Sequence, residues 1–523
     1  MKNFNLDTSR YYTPYQLILP LNLEILLENN DIVFTFLEIV SNIDLKKYLC
    51  KPLKFKGRLG YDTLDLLKVI LFGFSLDGYV SLRKLESYCK NDIRFMYLMK
   101  GLKPSHMTFS NFINNYLADN IENIFLEINN YIFEKDKVDL NHLYLDGSKF
   151  EANANKYTWV WKNCCLTNRE KLFNKITKLF EDINNNILNI QGITFSTREE
   201  YAIEYLEEKL QFLKNYFNID TTTFVKGRGH SKSQLQRYYE ILSKYIDKLK
   251  EYAMHIKIAG EDRNSYSKTD KGATFMRIKT DYMGNDQLLP AYNVQLGICD
   301  EYIAVPQVFH YASDMDTFIP VMERFNKYYG KYPKYPVADA GYGSFNNYIY
   351  CEEHNMEKYM KFTMYKKTVE DKKYIENPYG VENFKIENGN MYCPNGKKFI
   401  YQYNSQVKGN KYGRTYEVYK CESCDGCPYK EKCTKANGDR YIKLNRELNA
   451  YYEEVLCNLE SIQGALLREN RSIQAEGTFG IIKYDRWYKR LVRREKLVEL
   501  EIFLVSIGYN IYKYHNKKYR VYE

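Results

Sequence analysis

Two short apolar runs in this chain each deliver an aspartate beside small residues: His142-Leu-Tyr-Leu-Asp-Gly147 and Tyr335-Pro-Val-Ala-Asp-Ala-Gly-Tyr-Gly343. Short runs of Leu, Val and Tyr punctuated by Gly read as strands, so Asp146 and Asp339 are expected at strand ends. A third acid, Glu476, falls in Arg471-Ser-Ile-Gln-Ala-Glu-Gly-Thr-Phe-Gly480, which reads as a late helix. Strands far apart in sequence, with helical stretches between them, must return to one sheet if their acids are to meet. The expected fold class is therefore mixed α/β. Taken singly, either Asp reads as an ordinary turn residue. Taken together, three carboxylates can converge on a pair of divalent cations. Hard oxygen ligands suit Mg²⁺, with Mn²⁺ as the alternative, and two such ions clamp the attacking and leaving oxygens of a phosphodiester.

The rest of the chain divides by pattern. Residues 1–56 form a lead-in with a short apolar helix near Ile32–Val40. Residues 57–134 read as helical: Leu64, Leu67, Val69, Ile70 and Phe74 recur at helical steps, and Ser81 caps another helix start. Arg83, Lys84, Lys90 and Arg94 lie among these short helices, so the region is either a DNA reader of helix-turn-helix type or a packing domain with a solvated basic face. A catalytic domain is expected over 138–514. It is interrupted by a charged helical insertion at 162–262, whose Leu235, Tyr239, Leu242, Ile246 and Leu249 make a coiled-coil-like seam. Gly227-Arg-Gly-His230 reads as an exposed loop between those helices. Strand signals resume at Ala273–Lys279, Leu288–Leu296 and Tyr302–Pro306, and Glu476 to Tyr514 reads as helix with an apolar face of Leu491, Leu497, Leu500 and Leu504.

A second interruption, at 390–440, carries Cys421-x₂-Cys424-x₂-Cys427-x₅-Cys433. Four thiolates so spaced can surround one tetrahedral Zn²⁺, and Cys393 can stand in for Cys421. An iron–sulfur cluster and unmetallated structural thiols are the other readings. Lys483, Lys489, Arg490, Arg493 and Arg494 follow Glu476 and are candidate contacts to the DNA backbone, or else a solvated helix face. Glu151, Asn153 and Asn155 are read as support for Asp146, as groups that approach DNA, or as core hydrogen-bonding groups, and Trp159 and Trp161 as core rings more often than as rings that stack on a base. The chain of 523 residues has a formal charge of +10, which favours a polyanionic partner without demanding one. Its 45% apolar content fits globular protein, and its 52 tyrosines, with abundant Asn, Lys and Ile, read as the product of AT-rich coding sequence. No long apolar run suggests a membrane span, no signal-peptide pattern opens the chain, and a cytoplasmic location is expected.

Three blocks, Leu145-Asp-Gly-Ser-Lys-Phe-Glu-Ala-Asn-Ala-Asn155, Asp339-Ala-Gly-Tyr-Gly343 and Glu476-Gly-Thr-Phe-Gly480, with the cysteines between the second and third, resemble the catalytic blocks of DDE transposases from bacterial insertion sequences. The resemblance runs from about Gly57 to Tyr514. It implies an RNase H-like core, Mg²⁺-dependent cleavage at element ends, strand transfer into target DNA, and binding to terminal inverted repeats by a homodimer. Asp146, Asp339 and Glu476 are then the metal-holding catalytic residues. Related transposases carry Tyr and Arg at fixed steps before the Glu, where this chain has Glu469 and Ser472; their Lys seven residues after it is present as Lys483. A nuclease or resolvase without strand transfer, and an inactive DNA-binding relic, are the alternative readings.

Overall fold

The computed structural model describes residues 27–49, 60–189, 192–222, 224–225, 231–278, 287–407, 410 and 412–520. The expected loop at 227–230, the helical start at Gly57 and the end of the strand at Lys279 lie outside the described residues. The chain forms two compact units, one of residues 1–138 with 503–523 and one of 139–502.

The first unit is helical. Its helices Ile32–Ser41, Thr63–Asp77, Leu82–Asn91, Ile93–Leu98 and His106–Phe112 each begin where Asp31, Asp62, Ser81, Asp92 or Ser105 accepts a backbone N–H of the first turn. Helix Ile121–Asp136 follows, and the C-terminal part of helix Leu497–Arg520 completes the unit. The last helix packs closely: a Cβ at Gly508 would stand 2.4 Å from the Phe74 carbonyl oxygen. Beside it, buried Asn510 donates to buried Asn129 at 2.9 Å, and Phe125 meets Phe503 edge-on.

The second unit is built on a mixed sheet. Its strands are β1 (His142–Glu151), β2 (Trp159–Trp161), β3 (Ser265–Ser267), β4 (Thr274–Arg277), β5 (Leu288–Cys299), β6 (Tyr302–Phe309), β7 (Tyr335–Gly343) and β8 (Tyr359–Phe362). The main sheet runs β4-β5-β1-β7-β8, with β6 also paired to β5, while β2 and β3 form a separate pair. β5 is buried along all but its first residue, and β1 lies in the middle of the strand order. β1 is antiparallel to β5 and parallel to β7, and β7 is parallel to β8. Helices Lys162–Ile183, Ile203–Tyr216 and Gln234–Ala259 enclose their own core of Leu172, Phe180, Leu206, Leu242, Ile246 and Leu249.

Beyond β8 come the hairpin β9 (Lys385–Glu387) and β10 (Asn390–Tyr392), then an antiparallel sheet of β11 (Phe399–Gln406), β12 (Thr415–Cys421) and β13 (Tyr441–Leu444). Asn445 and Ser461 cap helices Arg446–Glu460 and Ile462–Arg471. The chain then winds as a π-helix over Ser472–Glu476, an α-helical turn over Gly477–Gly480 and a second π-helix over Ile481–Asp485.

Two sequence expectations are corrected. Asp146 and Asp339 lie inside strands that continue to Glu151 and Gly343, not at strand ends. The helix expected from Glu476 to Tyr514 is broken: residues 486–496 are irregular, and helix resumes only at Leu497. Trp487 and Glu495 adopt positive φ inside that break, a conformation a continuous helix cannot contain. The expected helix face bearing Lys489, Arg490, Arg493 and Arg494 is accordingly an irregular segment.

Candidate active site

Strand register brings the two aspartates together. β1 and β7 pair in parallel from His142↔Tyr335 to Tyr144↔Val337 and then part. Asp146 and Asp339 each lie two residues past that last pair. Because side chains alternate with a period of two, both project from the face that Tyr144 and Val337 share.

Glu476 arrives through the first π-helix. Arg471 stands five residues before it, and an i→i+5 winding sets those two positions one above the other. The Arg471 guanidinium donates to Glu476 Oε1 at 2.6 Å, and its other terminal nitrogen lies 4.0 Å from Asp146 Oδ1. Ser472 Oγ donates to Glu476 Oε2 at 3.1 Å. One planar cation therefore spans two of the three acids. Sequence comparison alone located Ser472 at the position where related chains carry Arg; the π-helix supplies the guanidinium from one residue earlier. The only sequence signal for this was an Arg directly before the expected position.

Burial pushes the Asp146 carboxyl up to about 6; the Arg471 charge opposes the rise, and the charges of Asp339 and Glu476 add to it. Asp339 Oδ1 accepts the Gly341 N–H at 2.7 Å. Lys483 reaches in from the second π-helix. Its ammonium donates to Ser148 Oγ and to the Lys149 carbonyl oxygen and lies 4.5 Å from the Phe150 ring centroid. Burial lowers its pKa to about 8, against the pull of Asp146. On β8, Lys361 is lowered by burial and by neighbouring Arg471 and Arg468, while Asp339 pulls the other way.

Beneath the aspartates lies a polar network that the sequence reading missed. Asp314 Oδ1 accepts from Asn293 Nδ2 at 2.7 Å and from Gln295 Nε2 at 2.9 Å. Gln295 Oε1 accepts from the Tyr342 hydroxyl. Asn293, Gln295 and Tyr342 are buried, so these bonds replace water that cannot reach them. The network explains Gly147: a Cβ there would stand 2.1 Å from Gln295 Nε2 and 2.9 Å from Asp314 Oδ1. The same side chain would lie 3.6 Å from a Cβ at Gly341, so Asp314 sits close to the chain near both candidate aspartates. A lone Asp in a loop and two polar residues in an otherwise apolar strand gave a weak signal for it.

The remaining candidates are placed as follows. Lys489 lies over the Tyr484 and Trp487 rings at 4.4 and 5.2 Å. Arg490 faces Glu151 at 3.6 Å, and Glu151 also meets Lys156. Arg494 donates to the Asn153 carbonyl oxygen, while the Arg493 backbone N–H bonds Glu501. Asn153 Nδ2 donates to the Val492 carbonyl oxygen, and the Asn155 N–H to Thr269. Trp159 and Trp161 are partly exposed against Phe275, not enclosed as core rings.

Cys393, Cys421, Cys424, Cys427 and Cys433 line one small cavity together with Arg440. All five are free thiols. The Arg440 guanidinium approaches Cys433 Sγ at 3.0 Å and its backbone N–H approaches Cys424 Sγ at 3.4 Å. Burial pushes the Cys421 thiol up to about 12. Among the described residues, no group of three or more His, Cys, Asp or Glu side chains is drawn in closely enough to hold a metal ion as it stands. No helix among them is long and apolar enough to cross a membrane.

Two family models match parts of the chain. Residues 392–515, containing Glu476 and the cysteine segment, match the family described as Transposase DDE domain, and residues 21–115 match the one described as Transposase domain (DUF772). No curated protein and no solved structure matches the chain. These two matches, one towards each end of the chain, support an insertion-sequence DDE transposase.

Proposed function

We propose that this chain cuts DNA at the ends of a mobile element and joins the freed ends to target DNA. Asp146, Asp339 and Glu476 would be the catalytic carboxylates of an RNase H-like core. The observation that carries the reading is the pair of register-matched aspartates, with one guanidinium reaching from Asp146 to Glu476.

The donor set fits Mg²⁺, or Mn²⁺. All three groups are hard oxygen donors, and Asp146 is held from ionising partly by the charges of its two partners, a penalty a cation removes. Arg471 already occupies the position of a positive charge among them. Two bound ions would supply Lewis acidity at the attacking and leaving oxygens of a phosphodiester. The chain's own residues do the rest. Asp146 and Asp339 hold their carboxylates on one sheet face. Asp314, Gln295 and Tyr342 fix the backbone on which those carboxylates sit. Arg471 orients Glu476, and Lys483 and Lys361 supply positive charge where a phosphate would approach.

For the cysteine insert at 390–440, a structural Zn²⁺ held by four of the five thiols fits the soft donor set in one cavity, with the cysteines moving inward as they lose their protons. The helical residues 57–134 would read the terminal inverted repeats, the basic residues Lys489, Arg490, Arg493 and Arg494 would contact backbone phosphates, and a homodimer would hold two ends together.

The test uses the purified chain, Mg²⁺ and DNA carrying both borders of its own gene, read for nicks and for joined products. Cleavage and joining support the proposal. Cleavage without joining would favour a nuclease or resolvase, and neither, from a chain that still binds the borders, would mark an inactive relic.

A further inference from the structure

Eleven residues past Glu476, the chain displays a tryptophan in a conformation few tryptophans adopt. Trp487 has φ of 56° and its residue is 78% exposed. The left-handed region brings Cβ against the backbone, and Gly or Asn enters it at lower cost. Its neighbours impose the conformation. The Arg486 N–H bonds the Ile481 carbonyl oxygen at 2.9 Å and the Tyr488 N–H bonds that of Ile482 at 3.0 Å, so the chain reverses tightly off the end of the π-helix. Tyr488 then turns inward, its ring against Phe150 and its hydroxyl on Glu501. Trp487 is forced outward, and core packing is not what the ring serves. Strained residues with exposed functional groups gather at ligand sites.

Its surroundings suit one kind of ligand. The Lys489 ammonium lies between the Trp487 ring and that of Tyr484, which is 51% exposed. Arg490 and Arg494 are exposed a few residues on. The segment is fastened to β1, the strand that carries Asp146: the Leu491 N–H bonds the Glu151 carbonyl oxygen, and Asn153 bonds the Val492 carbonyl oxygen. Glu151 lies five residues beyond Asp146, about 17 Å along an extended strand, a span of about five stacked nucleotides. An aromatic face flanked by cations binds nucleobases irrespective of sequence, because every base has a π-face and every phosphate a negative charge.

We infer that Trp487, with Tyr484 and Lys489, forms a stacking site for an unpaired nucleobase of the DNA strand held at the Asp146 centre. A base can reach an exposed ring in this way only after leaving the duplex, so the site would take single-stranded or locally opened DNA. The inference rests on the proposed DNA-processing function.

The experiment compares two fluorescein-labelled strands of equal charge, a thymidine 12-mer and an abasic 12-mer, binding to the full chain without divalent metal. The wild-type chain is expected to bind the thymidine strand about tenfold more tightly, the scale of one base–aromatic stack. Trp487→Ala should bring the two strands to near parity by weakening only the thymidine strand, and Trp487→Phe should keep most of the preference. Trp487→Gly removes the ring while relieving the backbone, so it should lose the preference with no loss of thermal stability. A preference that survives in both Ala and Gly variants overturns the inference, as does equal weakening on both strands. Unchanged DNA binding with loss of self-association would make this face an interface between copies. A wild-type chain that binds neither strand would instead remove the DNA-processing reading itself.

Discussion

The carboxylate centre and the thiol cluster are both candidate metal sites, yet they are assembled in opposite ways. The carboxylates come from β1, β7 and a π-helix near the end of the chain, and only the sheet brings them together. Four of the thiols fall within Cys421–Cys433 and are neighbours in any fold of that segment. The aspartates ride on a large buried sheet that would keep its shape without metal. The cysteines rest on a small cluster of Phe384, Met391, Phe399 and Ile442, with Cys421 and Cys424 forming part of that cluster themselves. A site on a rigid scaffold can tolerate electrostatic strain, whereas a site that is its own core depends on what binds it.

The largest effect expected from this contrast is on chemistry. Asp339→Asn and Glu476→Gln should each lower cleavage of border DNA by about 10³-fold or more, some 4 kcal/mol of barrier, while unfolding curves and DNA affinity stay near wild type. Loss of fold in the Asp339 variant would show that the carboxylate supports the sheet, and the contrast would fail on that side.

The thiol side should behave in the reverse sense. The purified chain should carry about one equivalent of zinc, and Cys427→Ser or strong chelation should release it and open the insert to proteolysis within 390–440, with the main sheet intact. Metal analysis that finds neither zinc nor iron, with an insert that resists protease regardless, would make the cysteines ordinary core residues.

A pH experiment sharpens the claim of strain in the carboxylate centre. Asp146 ionises near 6 in the folded chain, above its ordinary value of 3.8. Between those values the folded state keeps a proton that the unfolded state has lost, so the group's contribution falls as pH rises from about 4 to 6. By pH 7.5 it should cost roughly 2–3 kcal/mol. Asp146→Asn, measured by denaturant unfolding without divalent metal, should therefore be more stable than wild type at pH 7.5 and gain nothing at pH 3.5. An equal stability difference at both pH values would assign the effect to packing instead of charge.

The smallest expected effect tests the network under the site. Gly147→Ala places a methyl where Gln295 Nε2 now lies, and buried Gln295, held by three side-chain hydrogen bonds, has little freedom to withdraw. A loss of about 1–3 kcal/mol in stability is expected, with a fall in cleavage of about tenfold as the Asp146 backbone shifts. Normal cleavage in a destabilised Gly147→Ala chain would separate the network from the chemistry.

Much of this was legible without coordinates where the information is local. The cap at Ser81, the strand content around Asp146 and Asp339, and the thiol spacing all depend on residues a few positions apart, and such patterns follow from backbone periodicity and side-chain chemistry alone. Tertiary structure decided the rest. Nothing within Arg471–Glu476 announces a π-helix, which depends on how that segment packs, yet it sets the Arg471 guanidinium as well as the Ser472 hydroxyl on the Glu476 carboxylate. Nor does Asn293 or Gln295 announce that Asp314 will lie against it, or that Gly147 is small because those groups fill its space. The helix expected across residues 486–496 breaks because Tyr488 and Leu491 are drawn to β1, far away in sequence, while the Tyr488 hydroxyl bonds Glu501. Local pattern determined which residues could carry the chemistry; the register of β1 against β7 decided that two of them face the same side, because one residue of slip in either strand would turn its aspartate to the opposite face of the sheet.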